Sequence, residues 1–147
     1  MSSVRIPLKP LAENLEMPRY AHENDGAVDL RANEACVLEP FQRALIPCGF
    51  AIAIPEGYAG LVIPRSGLAI KHGISVLNAP GLIDSGYRGE VGVVLVNLDP
   101  QEAFTVKPGD RIAQLAIVSL DTVIFETVSE LPSSERGTGG FGSSGID

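Results

Sequence analysis

The apolar runs of this chain are short, and Gly or Pro interrupts them about every 8–12 residues. Sixteen glycines and eleven prolines are spread over 147 residues. Segments this brief cannot form long helices, but they can form strands joined by tight turns. The hydrophobic fraction is 45% and the aromatic fraction only 5%, so the core must be built mainly from Val, Ile, Leu and Ala. The expected fold is all-β, a sandwich or barrel, with one domain's worth of chain. Strands are predicted at 4–8, 30–32, 37–38, 44–46, 50–54, 58–63, 74–77, 91–97, 104–106, 112–120 and 123–127. Pro47 is expected to end the 44–46 run, and Pro55-Glu-Gly57 the 50–54 run.

Charge and cysteine content exclude some function classes. The net charge is −7, and a surface of that sign repels a nucleic acid polymer. A small phosphorylated ligand, held by a few arginines and a divalent metal, stays open. Cys36 and Cys48 lack metal-ligand spacing and read as buried free thiols. No apolar run is long enough to cross a bilayer, so no membrane role is expected. Met1-Ser-Ser-Val-Arg5 has no signal-peptide apolar region, and the expected location is cytoplasmic.

Three stretches carry groups suited to chemistry. Asn78-Ala-Pro-Gly-Leu-Ile-Asp-Ser-Gly-Tyr-Arg-Gly-Glu90 reads as a hairpin between the runs 74–77 and 91–97. It puts an amide (Asn78), a carboxylate (Asp84) and an aromatic (Tyr87) at one rim. Such a rim suits a flat polar ligand, although the same residues also make an ordinary surface turn. Pro64-Arg-Ser-Gly-Leu-Ala-Ile-Lys-His-Gly73 reads as one short helix, with Ser66 as N-cap, Lys71 and His72 in the last turn and Gly73 beyond it. Its start offers N–H groups, a hydroxyl and the Arg65 guanidinium, all suited to an anion. A capped connector with a surface arginine would look the same. After Leu131-Pro132 the composition turns to Gly and Ser, and residues 133–147 read as a flexible arm. Arg136, Phe141 and five glycines give that arm the parts of a phosphate-wrapping loop.

Taken together, these stretches resemble the five motifs of the trimeric deoxyuridine triphosphate nucleotidohydrolases (dUTPases). The first looks like Ala21-His-Glu-Asn-Asp-Gly-Ala-Val-Asp-Leu30, and the second is Pro64-Arg-Ser-Gly-Leu-Ala69. The third is the 78–90 stretch, and the fourth is Gly109-Asp-Arg-Ile-Ala-Gln-Leu115. The fifth is Arg136-Gly-Thr-Gly-Gly-Phe-Gly-Ser-Ser-Gly145. The resemblance runs from about Tyr20 to the end. The first motif departs from the usual Ala-Gly order, reading Gly26-Ala27 before Val28-Asp29-Leu30.

The resemblance implies a small jelly-roll β-barrel over residues 1–132 with one short helix, and a C-terminal arm over 133–147 that closes an active site. It implies a homotrimer with shared sites and the reaction dUTP plus water to dUMP plus pyrophosphate, with Mg2+ on the triphosphate. Asp84 matches the carboxylate that activates the attacking water. Arg65, Ser66 and Gly67 match phosphate ligands, and Gln114 a polar phosphate contact. Asp29 matches a carboxylate that supports the metal through water. Asn78, with the backbone of Leu82 and Ile83, matches the uracil reader, and Tyr87 the group that rejects ribose. Phe141 would stack on uracil, while Arg136, Gly142 and Ser143 would hold the terminal phosphate. Arg111 and Asp110 are expected to make turn and interface salt bridges, and His22 and His72 to be surface or capping residues. A dCTP deaminase shares the fold but usually lacks the Asp-x-x-Tyr-Arg-Gly run and the glycine-rich arm. A dUTP-binding module without turnover is the non-enzyme alternative.

Overall fold

Two four-stranded antiparallel sheets face each other across a shared apolar core in a computed structural model that describes residues 3–142. The strands are β1 (Leu8–Pro10), β2 (Val28–Arg31), β3 (Cys36–Leu38), β4 (Arg43–Ile52) and β5 (Tyr58–Ile63). After α1 (Ser66–His72) come β6 (Ile74–Val76), β7 (Gly81–Ile83), β8 (Glu90–Asn97), β9 (Phe104–Val106) and β10 (Arg111–Ser119). One sheet has the order β1-β4-β8-β6 and the other β2-β10-β5-β7, with a small β3-β9 ribbon beside them. This is the expected all-β barrel of jelly-roll type with one short helix.

Alternation explains which faces meet. In β4, Ile46, Cys48, Phe50 and Ile52 point inward, and in β8 so do Val91, Val93 and Leu95. Leu30, Val62, Ile83, Ile112 and Leu115 answer them from the second sheet. Each such side chain contributes about 1.5–3 kcal/mol by leaving water. The one buried polar residue among those described is Asn97, and it is fully bonded. Its Nδ2 donates to the Leu38 and Glu102 carbonyls at 2.9 and 2.8 Å, and its Oδ1 accepts from the Asp99 N–H at 2.9 Å. That amide ties β8 to the β3-β9 ribbon.

Four local expectations need correction. The first strand is Leu8–Pro10, paired with Phe50–Ile52, and not the 4–8 run. Pro47 does not end a strand; β4 runs through it, and its register with β8 shifts between Pro47 and Ala51. A bulge tolerates the missing N–H of proline. Gly49 sits in that shift at φ 79°, where a Cβ would lie 3.0 Å from Ala12 and Asn33. Cys36 is half-buried rather than buried. Cys48 is buried, both thiols are free, and burial pushes the Cys48 thiol up to about 12, with the Glu90 charge a second cause. The Cys48 thiol therefore stays protonated and unreactive.

The fourth correction concerns the chain after β10. Residues 123–127 form no strand, because none of the described strands pairs with them. Ile124, Phe125 and Leu131 are at least 85% exposed, an apolar row touching almost nothing of its own chain. The arm beyond them is held by local turns, with Gly137 and Gly139 N–H groups donating to the Ser134 and Arg136 carbonyls. No helix among the described residues is long and apolar enough to cross a membrane.

Candidate active site

The 78–90 stretch is not a simple hairpin. Its flanks do pair, with Ile74 opposite Asn97 and Val76 opposite Leu95. Between them the chain crosses over and lays β7 against β5 of the other sheet, with Ile83 opposite Gly60 and Gly81 opposite Val62. The crossing begins at a cis Ala79–Pro80 bond. Gly81 leaves room there, since a Cβ would press on the Asn78 amide nitrogen and Val62 Cβ, each at 3.3 Å. Glycine therefore lets the Asn78 side chain lie against the β7 backbone.

Beyond β7, the Tyr87 N–H donates to the Asp84 carbonyl at 3.1 Å and closes a turn. The Tyr87 hydroxyl donates to the Glu90 carbonyl at 3.0 Å, which fixes the ring. The Asp84 carboxylate is exposed and has no protein partner among the described residues. It is free to accept a hydrogen bond from water. Tyr87, Leu82 and Ile83 line a cavity of about 360 Å³ together with Leu45, Pro47, Glu90, Val91 and Gly92. Leu45 is not singled out by the sequence, and Gly92 is a position to which the sequence assigns no role. Leu45 is a mid-strand leucine that is 70% exposed, and a Cβ on Gly92 would sit 2.9 Å from its Cδ1. Bare backbone at residue 92 is part of what opens the pocket.

The other predicted residues gather elsewhere. Asp29 on β2 is opposite Gln114 on β10, which is opposite Ile63 on β5. These positions form one row on the outward face of the sheet. Two residues past Ile63, Arg65 is extended at φ −89° and ψ 126° and reaches back to the row. Its Nε lies 3.4 Å from one Asp29 oxygen, and the Arg111 Nη1 lies 3.3 Å from the other. Arg65 Nη1 also donates to the Arg111 carbonyl at 3.1 Å. One carboxylate between two guanidiniums leaves one positive charge to be met, the mark of an anion site. The reversed Gly26-Ala27 order does not disturb it, since Asp29 still lies within β2.

Arg65, not Ser66, is the residue before the helix, and it makes no side-chain cap. The Ser66 hydroxyl is exposed and uncommitted, and Gly67 beside it has open space around its Cα. Gly73 closes the helix at φ 64° as expected, bonding back to Ala69. His72 packs against Phe104 with centroids 5.4 Å apart and the rings tilted by 51°, and His22 is exposed. Asp110 caps its turn through the Lys107 N–H at 2.8 Å. Arg111 forms its salt bridge within this chain, to Asp29.

No group of three or more His, Cys, Asp or Glu side chains suited to a metal occurs among the described residues. A Mg2+ ion would therefore take most of its oxygens from a triphosphate and water. Asp29 fits an outer role: each oxygen carries one guanidinium, and the remaining lone pairs can accept from a metal-bound water. In the arm, Arg136 Nε donates to its own Gly139 carbonyl at 2.8 Å, and Phe141 is fully exposed. Gly142 is the last described residue, at φ 88°, and Ser143 lies outside the described residues.

The two halves of the site lie apart. Asp84 follows Ile83, which is opposite Gly60, so Asp84 is level with Ala59. Arg65 is six residues further along the same extended line. At about 3.3 Å per residue the separation is roughly 20 Å.

An antiparallel barrel with an anion row near one end of a strand, and near the other an apolar pocket whose lining residue Ile83 directly precedes an exposed carboxylate, is suited to handling a nucleotide. This chain belongs to the dUTPase family, whose profile matches residues 13–145. It is 52% identical over 143 residues to the deoxyuridine 5'-triphosphate nucleotidohydrolase of Leifsonia xyli subsp. xyli, covering 97% of this chain and 91% of that one. It is 48% identical over 145 residues to the protein of the same name from Streptomyces avermitilis, covering 96% and 83%. Among solved structures it resembles a Staphylococcus bacteriophage 80alpha dUTPase variant with dUpNHpp, at 33% identity and TM-score 0.89, covering 98% and 100%. A dUTPase variant from phage phi11 of S. aureus, described with a structural Mg(II) ion, matches at 30% identity and TM-score 0.80, covering 88% and 100%.

Proposed function

We propose that this chain hydrolyses dUTP to dUMP and pyrophosphate, lowering dUTP and supplying dUMP. The observation that carries the reading is the pair of half-sites at the two ends of β5, each with the groups its share of the substrate needs. Asp84 accepts a proton from a water lined up with the α-phosphorus, and pyrophosphate leaves on the opposite side. Arg65, Ser66, Gly67 and Gln114 meet the negative oxygens with fixed donors. A Mg2+ ion on the triphosphate would supply further charge neutralisation, and Asp29 is the residue that would support it, through water.

The base enters beside β7. The backbone of Leu82 and Ile83 and the Asn78 amide match the uracil edge, and cytosine leaves those groups unpaired. Tyr87 is pinned by its bond to the Glu90 carbonyl and cannot swing aside for a 2′-hydroxyl.

The site is completed by other copies of the chain, as a homotrimer. The roughly 20 Å between Asp84 and Arg65 supports this, because each half then serves a different site. So does the uncovered apolar row from Val123 to Leu131, which calls for a neighbouring surface. Arg136, Phe141, Gly142 and Ser143 then close over a site, and the arm expels water as it does so.

The direct test is incubation with Mg2+ and, separately, dUTP, dCTP, dTTP or UTP, followed by pyrophosphate and ammonia measurement. Pyrophosphate is expected from dUTP about 100-fold or more faster than from dCTP, whose base leaves polar groups unpaired, and about 10- to 200-fold faster than from dTTP and UTP, which add a methyl or a hydroxyl group. Ammonia from dCTP would identify a deaminase instead, and binding of dUTP without release would identify a sensing module.

A further inference from the structure

We infer that Arg111 is a positioning residue that keeps Arg65 available to the triphosphate by competing with it for Asp29. The inference rests on the reading of Arg65 as a phosphate ligand. Asp29 is the hub: its side chain is 14% exposed, and each oxygen faces a different guanidinium, at 3.4 and 3.3 Å. Arg111 acts on Arg65 twice. Its backbone carbonyl accepts from Arg65 Nη1, and its side chain occupies the Asp29 oxygen that Arg65 does not use. The approach of Arg65 to Asp29 is an ion-pair contact through Nε at 3.4 Å, and among the described residues its Nη2 makes no hydrogen bond to protein.

That arrangement is unlike the usual one. A guanidinium beside a lone carboxylate closes on it as a fork, with Nε and Nη2 bonding one oxygen each. Here Arg111 holds the second oxygen and the fork stays half open. Removing the Arg111 side chain frees that oxygen, so Arg65 rotates into the two-point fork and Nη2 is consumed. The net charge of the three-residue cluster falls from +1 to 0 in the same step. Both changes weaken an anion site.

The test is titration of the whole chain with α,β-imido-dUTP in EDTA, followed by calorimetry. Working without metal keeps the water-mediated role of Asp29 out of the measurement. Arg111→Gln is expected to weaken binding about 10- to 100-fold, the value of one charge-assisted hydrogen bond. Arg111→Lys, which still neutralises the second oxygen, recovers part of that loss. Adding Asp29→Asn to Arg111→Gln also recovers binding, because a carboxamide does not capture the guanidinium. In turnover with Mg2+, Arg111→Gln raises KM by a larger factor than it lowers kcat. Parent-like binding by Arg111→Gln overturns the inference, and so does a double variant that binds no better than Arg111→Gln alone. Arg65→Ala separates the two layers: if it binds as the parent does, the phosphate-ligand reading fails. If it loses binding while Arg111→Gln keeps it, only the competition fails.

Discussion

Asp84→Asn is expected to release pyrophosphate from dUTP about a thousandfold more slowly than the parent chain, while binding α,β-imido-dUTP with unchanged affinity. The carboxylate is exposed, and no described group holds it. Its replacement by an amide of the same shape removes no fold contact. What goes is the capacity to take a proton from water, which contributes about 10²–10⁴ in rate. The turn through the Asp84 carbonyl and the Tyr87 N–H is made by backbone and survives the change. Single-turnover pyrophosphate release and calorimetric titration, run on the same preparation, separate chemistry from binding. A normal rate would remove Asp84 as the base. A lost affinity would make it a binding group instead.

Ending the chain after Glu135 is expected to leave fold and assembly intact and to cut kcat/KM by about 10²–10³. The fold part follows from exposure: as far as Gly142, the arm's hydrogen bonds among the described residues are local turn bonds, and Phe141 is fully exposed. The activity part follows from what is lost. Arg136 would make a charge-assisted bond of about 1.5–3 kcal/mol to phosphate. Phe141 would stack on the base for about 1–3 kcal/mol. Thermal melting and gel filtration check the first claim, and steady-state kinetics the second. A truncated chain that unfolds or falls apart would make the arm structural.

The parts of this molecule legible in its sequence are those where one residue type dictates one local geometry. Gly73 ends α1 because only a residue at ease with φ 64° suits that position. Asp84 and Arg65 stand out because each lies in a stretch rich in turn residues, whereas Gln114, in mid-strand, is legible only through the family resemblance. The parts that were not legible depend on which strand lies beside which. The period-2 pattern around Ile83 says strand, but it does not say that β7 leaves its flanks and joins β5. Pro47 reads as a stop until the opposing Gly92 and the bulge are seen. Leu45 is one more apolar strand residue in sequence, and its place beside Gly92 in a pocket appears only after β4 and β8 are in register. The 123–127 run has the right composition for a strand and finds no partner in its own chain. In sequence Asp29 shows only its match to a metal-supporting carboxylate, because its two arginines are 36 and 82 residues away.

The length of β5 has a consequence for inheritance. On the shared-site proposal, each chain lends its carboxylate to one pocket and its guanidinium to another. A damaged copy therefore does not simply die; it remains half useful to its neighbours. Two alleles ruined at opposite ends of the strand repair each other when their products assemble together. Co-refolding Asp84→Asn chains with Arg65→Ala chains should yield activity that neither has alone, and a mixture as silent as its parts would put both ends of the strand in one pocket.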